Sequence, residues 1–102
     1  MIHVIATIEV INGKREDFLA EFRKNVPAVK TEAGCLEYGP AVDLQTDLAA
    51  QIPMRSEVVT VVEKWESLAA LMAHITAPHM LSFRARVKEM VVKTTLQVLE
   101  PA

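Results

Sequence analysis

The chain opens on an alternation. In MIHVIATIEVI, Ile2, Val4, Ala6, Ile8 and Val10 fall on one side and His3, Thr7 and Glu9 on the other, which is the period of a half-buried strand. Asn12-Gly13 ends it. The period then lengthens: Phe18, Leu19, Phe22, Val26 and Val29 recur at helical spacing. Pro27 is expected to kink or interrupt that helix, because it removes a donor and crowds the carbonyl of Arg23. Gly34 is expected to stop it in a left-handed cap.

Residues 35–43, CLEYGPAVD, read as a second strand, irregular at Gly39-Pro40 and therefore bulged or at an edge. Residues 44–56 have no clean period, and a connection this long is usually functional, disordered or an interface arm. EVVTVVEKWE, residues 57–66, is the clearest strand. Ser67 can cap a short helix carrying Leu68, Leu71, Met72 and Ile75. Pro78 suits the first position of a second segment bearing Met80, Phe83, Val87 and Met90. Residues 92–100 form a last strand. The order β-α-β-β-α-β, with the second helix broken in two, is the ferredoxin-like split βαβ of the α+β class, an antiparallel sheet with helices on one face.

The third strand also implies a partner. Val58 and Val62 point one way and Val59, Val61 and Trp65 the other, yet helices cover only one face of such a sheet. An uncovered apolar face is larger than a monomer usually tolerates, so a homodimer packed sheet to sheet is expected.

The 102 residues allow one domain, 1–102, and 51% of them are hydrophobic, in keeping with self-association. A formal charge of −2 with interspersed signs leaves no footprint for nucleic acid. The single Cys35 excludes an internal disulfide and multi-cysteine metal sites, and reads as an inert thiol. The opening strand has no basic flank, so it does not read as a signal peptide, and no run reaches the length of a membrane span. A cytoplasmic protein is expected.

Chemistry concentrates in KWESLAALMAHITAPHM, residues 64–80, which holds the only tryptophan and two of the three histidines. Trp65 serves either as core or as a flat wall for an aromatic ligand. His74 lies at the edge of an apolar stripe, and His79 shares a helical face with Phe83. The Pro bend between them can aim both rings into one space, where a neutral imidazole suits the removal of a phenolic proton. Two histidines, with Glu63 as the only nearby carboxylate, fall short of a zinc ligand set, so no metal is expected. His3 is expected to be structural, or to face the same cavity.

MIHVIATIEVINGKREDFLAEF, NVPAVKTEAGCLEY and VVEKWESLAALMAHITAPHM together resemble the antibiotic biosynthesis monooxygenase family, and most nearly its small quinol monooxygenase branch. The likeness runs from Ile2 to Pro101. It implies a dimeric α+β barrel, with two ferredoxin-like sheets face to face. It also implies oxygenation of a small quinol or phenol by O2 with no flavin, haem or metal cofactor. On this reading His79 or His74 is the base. Trp65, Met72, Phe83 and Tyr38 box the substrate, Tyr38 or the second histidine bonds its other oxygen, and Glu63 joins the binding set.

Two other functions compete. A related class isomerises small phosphorylated signals and shares the His-x-x-x-Pro-His element; it would need cations for phosphate, for which Arg55, Arg84 and Arg86 are available. A non-catalytic ligand-binding dimer would leave Trp65 and both histidines merely packed. The haem-degrading branch is disfavoured, since the first strand has no Asn and Arg84 stands where an axial histidine is expected.

Overall fold

A computed structural model describes residues 1–102, with β1 (Ile2–Val10), α1 (Arg15–Lys30), β2 (Cys35–Ala41), β3 (Val58–Trp65), α2 (Leu68–Ile75), α3 (Pro78–Val87) and β4 (Val91–Leu99). The four strands make one antiparallel sheet in the order β2-β3-β1-β4, with the helices on one side. This is the ferredoxin-like α+β arrangement expected from the element order. No helix is long and apolar enough to cross a membrane.

Alternation decides what each strand buries. On the helix side the register aligns Tyr38 of β2, Glu63 of β3, Val4 of β1 and Val98 of β4 in one row. The next row holds Pro40, Val61, Ala6 and Leu96. Phe18, Leu19, Phe22 and Val29 of α1 close over this face, together with Leu71 of α2 and Met80, Phe83 and Val87 of α3. α1 leans on β2 and α3, so β4 lies outside its cover and Leu96 and Val98 stay about half exposed.

The outer face is less apolar than β3 alone implies. Ile5 and Val62 sit side by side, but Lys64, His3 and Glu37 share the row above with Leu99, and Thr60 and Thr7 lie in the row below. His3 therefore points away from the helices and does not face their cavity.

Three local expectations change. α1 runs unbroken through Pro27, because that ring lies on the helix's exposed side, where water can satisfy the freed Arg23 carbonyl. The helix ends at Thr31, whose hydroxyl donates to the Ala28 carbonyl at 2.7 Å, and not at Gly34. Gly34 serves elsewhere. It has φ +84°, and a Cβ there would stand 2.6 Å from the Ala70 Cβ, so only glycine lets α2 seat this closely. β2 is an edge strand as expected, but its register slips between Cys35 and Glu37 and not at Gly39-Pro40.

Segment 44–56 has no regular structure. Its ends are clamped by Arg55, whose guanidinium donates to both oxygens of Asp43 at 2.8 and 2.9 Å. Leu44, Leu48, Ile52 and Met54 stand out from it into solvent.

Candidate active site

Glu63 and Trp65 are two apart on β3 and share the buried face. The Trp65 Nε1–H donates to Glu63 Oε1 at 2.9 Å, so each polar group satisfies the other. Burial raises the pKa of Glu63 above the ordinary carboxylate range; the Trp65 bond and the His74 charge oppose that shift without cancelling it.

α2 delivers the imidazole. Ser67 caps the helix by accepting from the Ala70 N–H at 3.1 Å, which fixes where its first turn starts. Leu71 and His74, three apart, then face inward. The His74 ring lies 4.7 Å from Trp65 and 5.3 Å edge-on from Tyr38, centroid to centroid. Its Nδ1 is 2.9 Å from Glu32 Oε2, at the turn that follows α1. An ionised carboxylate can only accept, so Nδ1 carries a proton, and the neutral ring held there is the tautomer whose lone pair is on Nε2.

Above these groups the aromatic rings interlock. Phe22 stacks on Tyr38 at 5.5 Å with 12° between planes, and Phe83 meets Phe22 edge-on at 5.7 Å. Between helices and sheet remains a cavity of about 450 Å³, within the range usual for small-molecule sites. Of its 19 lining residues 14 are hydrophobic, Tyr38 among them, so the Tyr38 hydroxyl and the five polar residues, Glu63, His74, Arg84, Lys88 and Thr94, define its chemistry. Burial pushes the Tyr38 phenol far above its usual pKa, and the charges of Glu63 and Glu32 add to this. Tyr38 is thus a neutral hydrogen-bond donor and not a base.

The cavity gathers Tyr38, Glu63, His74 and Phe83 from the residues singled out in the sequence. Three others are not on its wall. Trp65 is fully buried behind His74, because its strand parity aims it into the core. Met72 is 55% exposed; Leu71 takes the inward position of α2 and turns its neighbour out. His79, just inside α3, faces the back of the site. Its Nε2 is 3.1 Å from the Glu32 oxygen that holds His74, but off the hydrogen-bond direction. Both its ring nitrogens are buried without a hydrogen bond, and the 29% exposure of the side chain belongs to ring carbon.

Glu32 is the residue that sequence reasoning missed. It lies 42 positions from His74 on another element, and no local pattern marks it. Of the three arginines considered for phosphate, only Arg84 lines the cavity. Arg55 is bound to Asp43 and Arg86 to Glu21. No group of three or more His, Cys, Asp or Glu side chains is arranged to hold a metal ion.

Comparison with known proteins bears on the chain and its fold. Residues 1–86 match the family model for antibiotic biosynthesis monooxygenases. The chain is 37% identical to the probable quinol monooxygenase YgiN of Escherichia coli K12, over 99% of this chain and 98% of that one. Among solved structures it is similar to PA3566 from Pseudomonas aeruginosa, with TM-score 0.80 and 27% identity, over 99% of this chain and 93% of that one. The fold also matches a crystal structure of an antibiotic biosynthesis monooxygenase, with TM-score 0.81 and 20% identity, over 100% and 99% of the two chains.

Proposed function

The chain belongs to the antibiotic biosynthesis monooxygenase family, and on that premise we propose that it oxidises a quinol or phenol to a quinone with O2, using His74 as general base and no cofactor. The observation that carries this reading is an imidazole on the wall of an apolar cavity, with Nδ1 2.9 Å from Glu32 and Nε2 making no hydrogen bond within the chain.

Triplet O2 reacts slowly with closed-shell organic molecules, but an aromatic alkoxide can give it an electron. His74 Nε2 takes the hydroxyl proton, a step worth about 10²–10⁴-fold in rate. Glu32 stabilises the imidazolium that forms. One electron passes from the anion to O2, and the two radicals join at a ring carbon as a peroxide, which His74 reprotonates. The ring C–H proton then leaves to His74 as the O–O bond breaks, and the departing hydroxide takes that proton away as water. For a phenol with a free ring position, substrate plus O2 gives quinone plus one water. The Tyr38 hydroxyl donates to the substrate's carbon-bound oxygen, and the apolar wall excludes water from the radical pair.

We further propose that the chain works as a homodimer through the outer sheet face. Ile5 and Val62 support this at the face's centre, as do the exposed Leu44, Leu48, Ile52 and Met54 of the 44–56 segment.

The test is oxygen uptake against a panel of quinols and phenols, with chelator present and no flavin added. Consumption of one O2 per quinone formed is the expected result. Uptake at the buffer rate with every compound would reject the reading.

A further inference from the structure

The polar groups of the cavity are segregated by depth. Glu63, His74 and Tyr38 are buried at its inner end, while Arg84 and Lys88 line it yet are exposed, which puts them at its mouth. The two cations are four positions apart at the end of α3, one helical turn, where side chains are neighbours.

A helix C-terminus favours basic side chains, which accounts for cations on this turn but not for the side they take. Arg86, on the same turn, swings away to Glu21 at 3.2 Å. Arg84 and Lys88 face the cavity, and neither forms an ion pair within the chain. The guanidinium of Arg84 is also held, because its Nη2 donates to the Ile75 carbonyl at the end of α2. Four of its five donor hydrogens remain after that bond. Its charge reaches inward far enough to act on the Tyr38 phenol.

A largely apolar cavity with two unneutralised cations at its entrance is mismatched to a ligand that is neutral throughout. We infer that the substrate carries a carboxylate on its aromatic ring, which docks on Arg84 and Lys88 while the reacting hydroxyl reaches His74. This rests on the reading of the cavity as the oxygenase site and names the substrate class: a hydroxylated aromatic acid. The planar fork of Arg84 suits a carboxylate in two-point contact, and Lys88 adds a point charge.

Calorimetric titration without oxygen tests it, using 6-hydroxy-2-naphthoate, whose hydroxyl and carboxylate lie at opposite ends of the ring system, and its neutral amide, 6-hydroxy-2-naphthamide, on the wild-type chain and on Arg84→Gln/Lys88→Gln. The acid is expected to bind wild type at least about tenfold tighter than the amide, as for a charge-assisted contact at a partly solvated site. The double variant is expected to lose that preference while still binding the amide. Equal binding of the two compounds to wild type would overturn the inference and leave the oxygenase reading standing. A preference that survives in the double variant would overturn it as well. Binding of neither compound would overturn both. If the double variant does not fold, Lys88→Gln alone decides, because the preference must fall severalfold or the inference fails.

Discussion

Glu32→Gln keeps the size of a side chain and removes the charge on which the proposed base depends. Glu32 Oε2 stands 2.9 Å from His74 Nδ1, and the two side chains are only 16% and 5% exposed, so solvent screens the contact little. A hydrogen bond to a charged partner in such a place contributes about 1.5–3 kcal/mol. The contribution is greatest when His74 is an imidazolium, the state it enters on taking the substrate proton. Removing the charge should therefore lower kcat by about 10- to 150-fold, at 1.4 kcal/mol per factor of ten. Glu32 is not on the cavity wall, so KM should stay within about threefold. Steady-state oxygen uptake over a range of quinol concentrations separates the two constants, and thermal melting shows whether the variant is folded. Glu32→Asp retains the charge on a shorter arm and should recover part of kcat. A folded Glu32→Gln protein with wild-type kcat would refute the reasoning, and so would a rise in KM with kcat unchanged.

Other consequences follow from single contacts. Gly34→Ala combines a left-handed residue, at about 1–2 kcal/mol, with overpacking against Ala70 of about 1–3 kcal/mol. Its melting point should fall by at least about 8 °C, and a shift under about 2 °C would show that α2 has room to move. Glu63→Gln should raise stability in a pH-dependent way. The native state holds this proton more tightly than the unfolded chain, so stability is full below the ordinary value of 4.5 and declines as pH rises from there to the raised native pKa. Gln accepts from Trp65 without ever ionising. Melting curves should therefore show the variant gaining on wild type at pH 7 and not at pH 4; an equal offset at both would contradict the burial penalty. Met72→Ala should leave kcat and KM within about twofold, because its side chain lies on the solvent face.

The elements were legible because each has a local cause. β1 follows from strict alternation, the start of α2 from Ser67 and the start of α3 from Pro78. Pro27 misled, since the cost of an internal proline depends on which side of the helix it faces, and periodicity around an isolated Pro does not report that. The site was legible only in part. Tyr38, Glu63, His74 and Phe83 converge on one cavity, yet Met72 was preferred to its neighbour Leu71, for an eight-residue helix has too few turns to fix its phase. Trp65 has two readings in the sequence, core or wall, and the core one holds: parity puts it on the same face as Glu63, but one row further along β3 the His74 ring covers it, and its Nε1–H satisfies Glu63. The histidines could not be ranked by spacing, because what separates them is Glu32, and that contact exists only once the turn after α1 folds against α2 and α3.

The most direct measurement compares oxygen uptake by His74→Ala and His79→Ala on one quinol, with chelator present, both variants confirmed as folded. His74→Ala is expected to lose about 10²–10⁴-fold in kcat, and His79→Ala, whose Nε2 lies beside Glu32 and whose ring does not line the cavity, to stay within about tenfold of wild type. Equal rates in both variants, or a greater loss in His79→Ala, would contradict the assignment of His74 as the base.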